Sequence, residues 1–127
     1  MSVNDEGRQN DIADELAEVA RALVLATRTV PHPSDSYELL ASLRSAQLSL
    51  AQVYAQLGAW HEEVVGGKHY NGEDSLVTGQ PATGSLEQAT EWLEKATASA
   101  AQAHFQLGGA HASNGVVRWF DQVKETA

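Results

Sequence analysis

The sequence predicts an all-α protein, a helical bundle of three long heptad-patterned helices with a short C-terminal helical segment. Three observations carry this reading. Apolar residues recur at alternating spacings of three and four along three separate stretches, the spacing that lines one side of a coiled helix. Pro and Gly gather between those stretches, where a helix has to end. The chain has 127 residues and no Cys. It is therefore sized for one domain whose core needs no disulfide.

Residues 1–10 are polar and read as a flexible tail, so the domain proper is expected over 11–127. Asp11 is a suitable N-cap, and Asp14 sits in the first turn, where the helix dipole favours negative charge. Ile12, Leu16, Val19, Leu23, Ala26 and Val30 then form the first seam. Pro31-His32-Pro33 ends it. Ser34 or Asp35 caps the second helix. Its seam is Leu39, Leu43, Ala46, Leu50, Val53, Leu57, Trp60 and Val64. Gly66-Gly67 closes that helix.

Residues 66–84 hold five Gly and one Pro without helical period, which predicts a long loop. Loop length alone leaves the relative direction of helices two and three open. Ser85-Leu86-Glu87-Gln88 fits a capping box at the start of the third helix. The third seam is Leu86, Ala89, Leu93, Ala96, Ala100, Ala103, Leu107 and Ala110. Its recurring Ala lets a partner backbone come close. Asn114-Gly115 is a C-cap or a bend. Val116, Val117, Phe120 and Val123 suggest a last helical turn or two.

The segment Ala51–His61 echoes Ala101–His111 in the pattern A-Q-x-x-x-Q-L-G-x-x-H. The repeated unit would be one long helix. The echo also places Gly58 and Gly108 inside helices. A mid-helix Gly costs about 1 kcal/mol against Ala, so close packing is the expected reason for both.

Charge is missing where a one-sided helix would carry it. Residues 45–61 and 96–117 contain no Asp, Glu, Lys or Arg. A helix with a single buried face shows charge on the other. Charge depletion beside aromatic residues marks an interface core. The expected interface is Gln52, Tyr54, Gln56, Trp60, His104, Phe105 and His111.

Composition narrows the partner. The net charge is -9, with 17 Asp+Glu against 8 Lys+Arg. That sign opposes direct binding to nucleic acid or to anionic membranes. No signal peptide or membrane span is legible, so a cytoplasmic location is expected. Abundant Ala and few Lys and Ile suit a GC-rich bacterial gene.

Candidate chemistry is thin. His104 and His111 stand seven residues apart, about 10.5 Å along one face, too far for a shared metal ion. His61-Glu62-Glu63 lacks the second His of a zinc-protease helix. The loop group Lys68, His69, Tyr70, Glu73 and Asp74 is the densest set of functional side chains, and loops carry function more often than cores. No nucleotide-binding or serine-nucleophile motif occurs. No enzyme activity, cofactor or metal is expected. The function expected is a protein–protein interaction module that associates with itself as a homodimer. The alternatives are a monomeric acidic inhibitor or adaptor, a nucleic-acid mimic among them, docking on a basic partner protein, and a bundle that binds metal or a small ligand.

Overall fold

The computed structural model describes residues 7–29, 32–75 and 81–124. Among them the fold is all-helical, with three α-helices and one short 3-10 turn: α1 (Gln9–Ala26), η1 (Pro33–Asp35), α2 (Ser36–Val65) and α3 (Thr83–Gly115). No described strand exists beyond an isolated bridge between Glu73 and Pro81. The described residues fall into two units. One takes in the described residues of Met1–Ser36 and Trp119–Ala127, the other those of Tyr37–Arg118.

In the first unit, α1 begins two residues before the expected cap. Arg8 is its N-cap and Ile12 N–H donates to Arg8 O at 2.9 Å. Nothing at Gln9 or Asn10 stops the helix from running back, so Asp11 lies inside the first turn, not at the cap. Residues 1–6 of the expected tail lie outside the described residues. The helix ends at Ala26, where Thr27 Oγ1 donates to Leu23 O at 2.8 Å. Pro31 and Val30 lie outside the described residues. No residue of α1 is buried, and Ile12, Leu16 and Val19 are exposed.

The expected cap at Ser34 or Asp35 is replaced by η1, with Ser36 Oγ donating to Pro33 O at 2.6 Å. The acceptor for Ser34 comes from 87 residues downstream. Asp121 takes the Ser34 N–H at 3.0 Å and the Ser34 hydroxyl at 2.6 Å. The expected C-terminal helical segment does not form. Residues 117–124 contain no helix. α3 stops at Gly115, and Val117 N–H closes the last turn on Asn114 O at 3.0 Å. Within this segment Asp121 accepts the two hydrogen bonds from Ser34.

In the second unit, α2 and α3 pack as an antiparallel pair. Tyr37, at the start of α2, stacks on His111 near the end of α3, with ring centroids 4.0 Å apart. His104 Nδ1 donates to Arg44 O at 2.9 Å. Gly108 lies against the Arg44 side chain and Gly58 against Leu93. The two glycines of the echo thus receive one residue each from the opposite helix, from the two ends of the pair.

The contact stripe of α2 differs from the expected seam. Its less exposed positions are Ser36, Leu39, Leu40, Ala41, Leu43, Gln47, Leu50, Ala51, Tyr54, Gly58, His61, Val64 and Val65, so Leu39, Leu43, Leu50 and Val64 of the expected seam stay partly covered while Ala46, Val53, Leu57 and Trp60 do not. Past Leu43, the turns that were expected to present Ala46, Val53, Leu57 and Trp60 instead present the next residue, about 100° further round the helix. Small residues decide this. Ala51 and Ala100 are the buried apolar residues among those described, at 7% and 6% exposure, and Gly58 is buried beside them. Close backbones bring more atoms into contact than bulky side chains at that stripe would allow. On α3 the expected seam holds through Leu107, and only its last position moves, from Ala110 to His111.

α2 ends as expected at Gly66-Gly67. Lys68 N–H donates to Glu63 O and Gly67 N–H to Val64 O, both at 2.9 Å, and Gly67 has φ +90°. This is a Schellman ending, which requires the left-handed residue that Gly provides. The Ser85 capping box does not form. The helix starts earlier, at Thr83 after Ala82, and the Ser85 hydroxyl donates to Asp74 at 2.8 Å instead.

Two glycines should respond in opposite ways to Ala. A Cβ at Gly115 would stand 2.8 Å from Tyr37 Cε1, whereas none of the surrounding atoms comes within 4 Å of one at Gly109. Gly115→Ala should destabilise the protein by about 1–2 kcal/mol through overpacking. Gly109→Ala should stabilise it by about 0.5–1 kcal/mol through helix propensity. Thermal denaturation of both variants measures the difference.

Candidate functional site

The stripe passed over by the α2·α3 contact remains apolar. Val53, Leu57 and Trp60 are exposed, and Leu50 and Val64 are half-buried. They recur at spacings of three and four, so they line one side of α2 next to the seam. The antiparallel arrangement sets the exposed Trp92 and Ala110 of α3 beside it, bordered by the half-buried seam residues Ala89, Ala96 and Ala103. Lys95 Nζ stands 4.5 Å from the Trp92 ring centroid. The apolar residues of this face are themselves uncharged, and the Lys95 ammonium over Trp92 marks its edge.

The opposite side of the pair is different in kind. There a cavity of about 250 Å³ is lined by Ala55, Gly58, Ala59, Glu62, Thr90, Glu94 and Thr97. Thr90 and Thr97 spend their hydroxyl protons on Leu86 O and Leu93 O of their own helix. Two carboxylates border this hollow, against none on the apolar face.

The seven residues expected to form one interface do not share a face. Tyr54 is in the α2 contact stripe, and His104 and His111 are held by Arg44 O and Tyr37 within the pair. Gln52 and Gln56 point away from α3, and Phe105 is 80% exposed, away from the apolar stripe of α2. Trp60 alone belongs to the apolar face. Leu57, Val53 and Trp92 join it there. Val53 and Leu57 are visible in the sequence as part of the α2 seam, whereas Trp92 lies outside the α3 seam and carries no such signal.

The loop candidates also separate. Asp74 accepts from Ser85, Glu73 bridges to Pro81, and Tyr70 is 74% exposed. His69 folds back onto α2. Its Nε2 donates to Glu63 Oε2 at 2.5 Å, and its ring lies nearly parallel to Trp60 (13°), centroids 6.1 Å apart. His61, bonded to Leu57 O at 2.7 Å, meets Trp60 edge-on. His69 adopts φ +69° to reach this place, the only non-Gly residue with positive φ among those described. Among the described residues no three His, Asp or Glu gather as metal ligands. No described helix is long and apolar enough to cross a membrane.

The His69 hydrogen bond lowers the Glu63 pKa; burial opposes it, and the charges of His69 and Lys68 add weaker lowering effects. Hydrogen bonds from the Ser34 hydroxyl and N–H lower the Asp121 pKa, with a weaker pull from His32. Each group therefore contributes stability above its unfolded pKa and loses it as pH falls through the lowered folded value. Carboxyl NMR titration should find both below the ordinary values of about 4.3 and 3.9. His69→Gln should return Glu63 toward its ordinary value, and Ser34→Ala should do the same for Asp121.

Comparison of the chain with family models, curated proteins and solved structures found no match.

Proposed function

We propose that the protein is a protein–protein interaction module and that its first partner is a second copy of itself. The observation that supports this is the uncharged apolar face of the α2·α3 pair, left exposed at Val53, Leu57, Trp60 and Trp92. A contiguous apolar patch on a small protein marks a surface that meets another.

The face is self-complementary. The α2 side is bulky and the α3 side is rich in Ala. A two-fold axis parallel to the helices lays α2 of one copy over α3 of the other, large residues against small ones. This is an isologous contact, the commonest kind in homodimers. The resulting layer of four helices takes the place of the three-helix heptad bundle read from the sequence. Trp60 and Trp92 are the natural anchors, because buried Trp dominates interface energies. The cytoplasm suits such a module, and neither nucleic acid nor membrane is needed as a partner.

Light scattering during size exclusion tests the proposal. The expected result is about twice 13.6 kDa at low and high salt alike, since apolar contacts survive screening. Leu57→Glu should weaken the dimer at least about 100-fold, close to 3 kcal/mol, with circular dichroism unchanged. A monomer at every concentration overturns the proposal. Binding to a basic partner that fades with salt would favour the acidic-adaptor reading in its place.

A further inference from the structure

The end of α2 carries a feature that the apolar face does not require. His69 holds a left-handed backbone conformation, which a side chain disfavours, and it holds it in order to touch two residues of α2. Gly67, two residues earlier, already turns the chain out of the helix. The strain at His69 is therefore not needed to end α2, and it persists through the contacts of the ring. One contact is with the Glu63 carboxylate, the other with Trp60, a residue of the apolar face.

We infer that His69 is a proton-sensitive latch that lays its own ring on Trp60 and so sets how much of that residue of the apolar face is open. The last part, that the open face receives a second copy, rests on the function proposed above. The chemistry follows from the imidazole. Protonated, it gives Glu63 a charge-assisted hydrogen bond and presents a cation to the indole face. Neutral, it keeps a weaker bond from Nε2 and loses the cationic attraction. The residues that face it are few. α2 brings Glu63, with Glu62 and His61 adjacent, and the loop brings Lys68. Glu63 is the group within hydrogen-bond distance, and it is an anion across the range in which an imidazole titrates. The latch therefore tightens as pH falls through the histidine range and loosens again only where Glu63 itself takes up a proton. Tightening keeps the imidazole over the part of Trp60 that it already shades, the residue being 41% exposed with the ring in place, and works against the second copy.

Trp60 fluorescence reads this directly. In Trp92→Phe/Trp119→Phe, at dilution that leaves the chain monomeric, Trp60 is the remaining indole. Its emission should fall between about pH 8 and 5, where imidazole gains its charge. The fall should disappear in His69→Gln and persist in His61→Gln. Glu63→Gln should move the midpoint to lower pH, and circular dichroism confirms that each variant is folded. A titration lost with His61→Gln but kept with His69→Gln, or an emission flat across the range, overturns the latch. Light scattering of the unmodified chain at pH 6 and 8 then separates the two ideas. A dimer whose dissociation constant at pH 6 falls several-fold in His69→Gln supports the coupling. A dimer indifferent to that substitution overturns it while leaving self-association intact. A monomer throughout, with the fluorescence titration present, overturns self-association and leaves the latch intact.

Discussion

Two antiparallel helices can cover one stripe of each other and no more. In α2 and α3 that stripe is chosen for closeness: Ala51, Gly58 and Ala100 let the backbones approach, and Leu93 and Arg44 fill the spaces opposite the glycines. The other features of the pair follow from this choice. The polar contacts that fix the register, Tyr37 with His111 and His104 with Arg44 O, use residues that bulkier packing would push apart. The larger apolar residues of α2 lie beside the contact instead of within it, and they remain in view.

Chain ends and turns are governed by distant partners more than by neighbours. Asp121 supplies the acceptor at the start of η1, and Asp74 draws Ser85 away from its own helix. In both places a side chain that could have capped locally found a carboxylate elsewhere. The Gly67 ending of α2 is the opposite case, being entirely local, with its two backbone bonds inside six residues. These differences explain where sequence patterns succeeded.

Helix content, the Gly66-Gly67 stop and the α3 seam were legible because each depends on residues a few positions apart. The start of α1 and the capping box at Ser85 were not, since each was decided by backbone continuity or by a partner far along the chain. The α2 seam shows a further limit. Periodicity located the apolar side of the helix correctly as a side about two residues wide, but it could not say which edge would meet α3. Hydrophobicity favoured Val53 and Leu57, and close approach favoured Ala51 and Gly58. For the candidate surface, Trp60 was legible from charge depletion. His104 and His111 were not separable from it, because an uncharged residue against a neighbouring helix of the same chain looks the same in sequence as one against a partner.

Ala51 and Ala100 have a consequence beyond holding the pair together. They act as a spacer. The apolar face is made of two halves, one on each helix, and the distance between the halves is the distance between the helix axes. A larger side chain at either alanine would widen that distance and tilt the halves relative to each other, although neither residue reaches the surface. The shape that a partner meets is thus adjustable from inside. Variation at two buried positions can retune recognition while every residue a partner would touch stays the same.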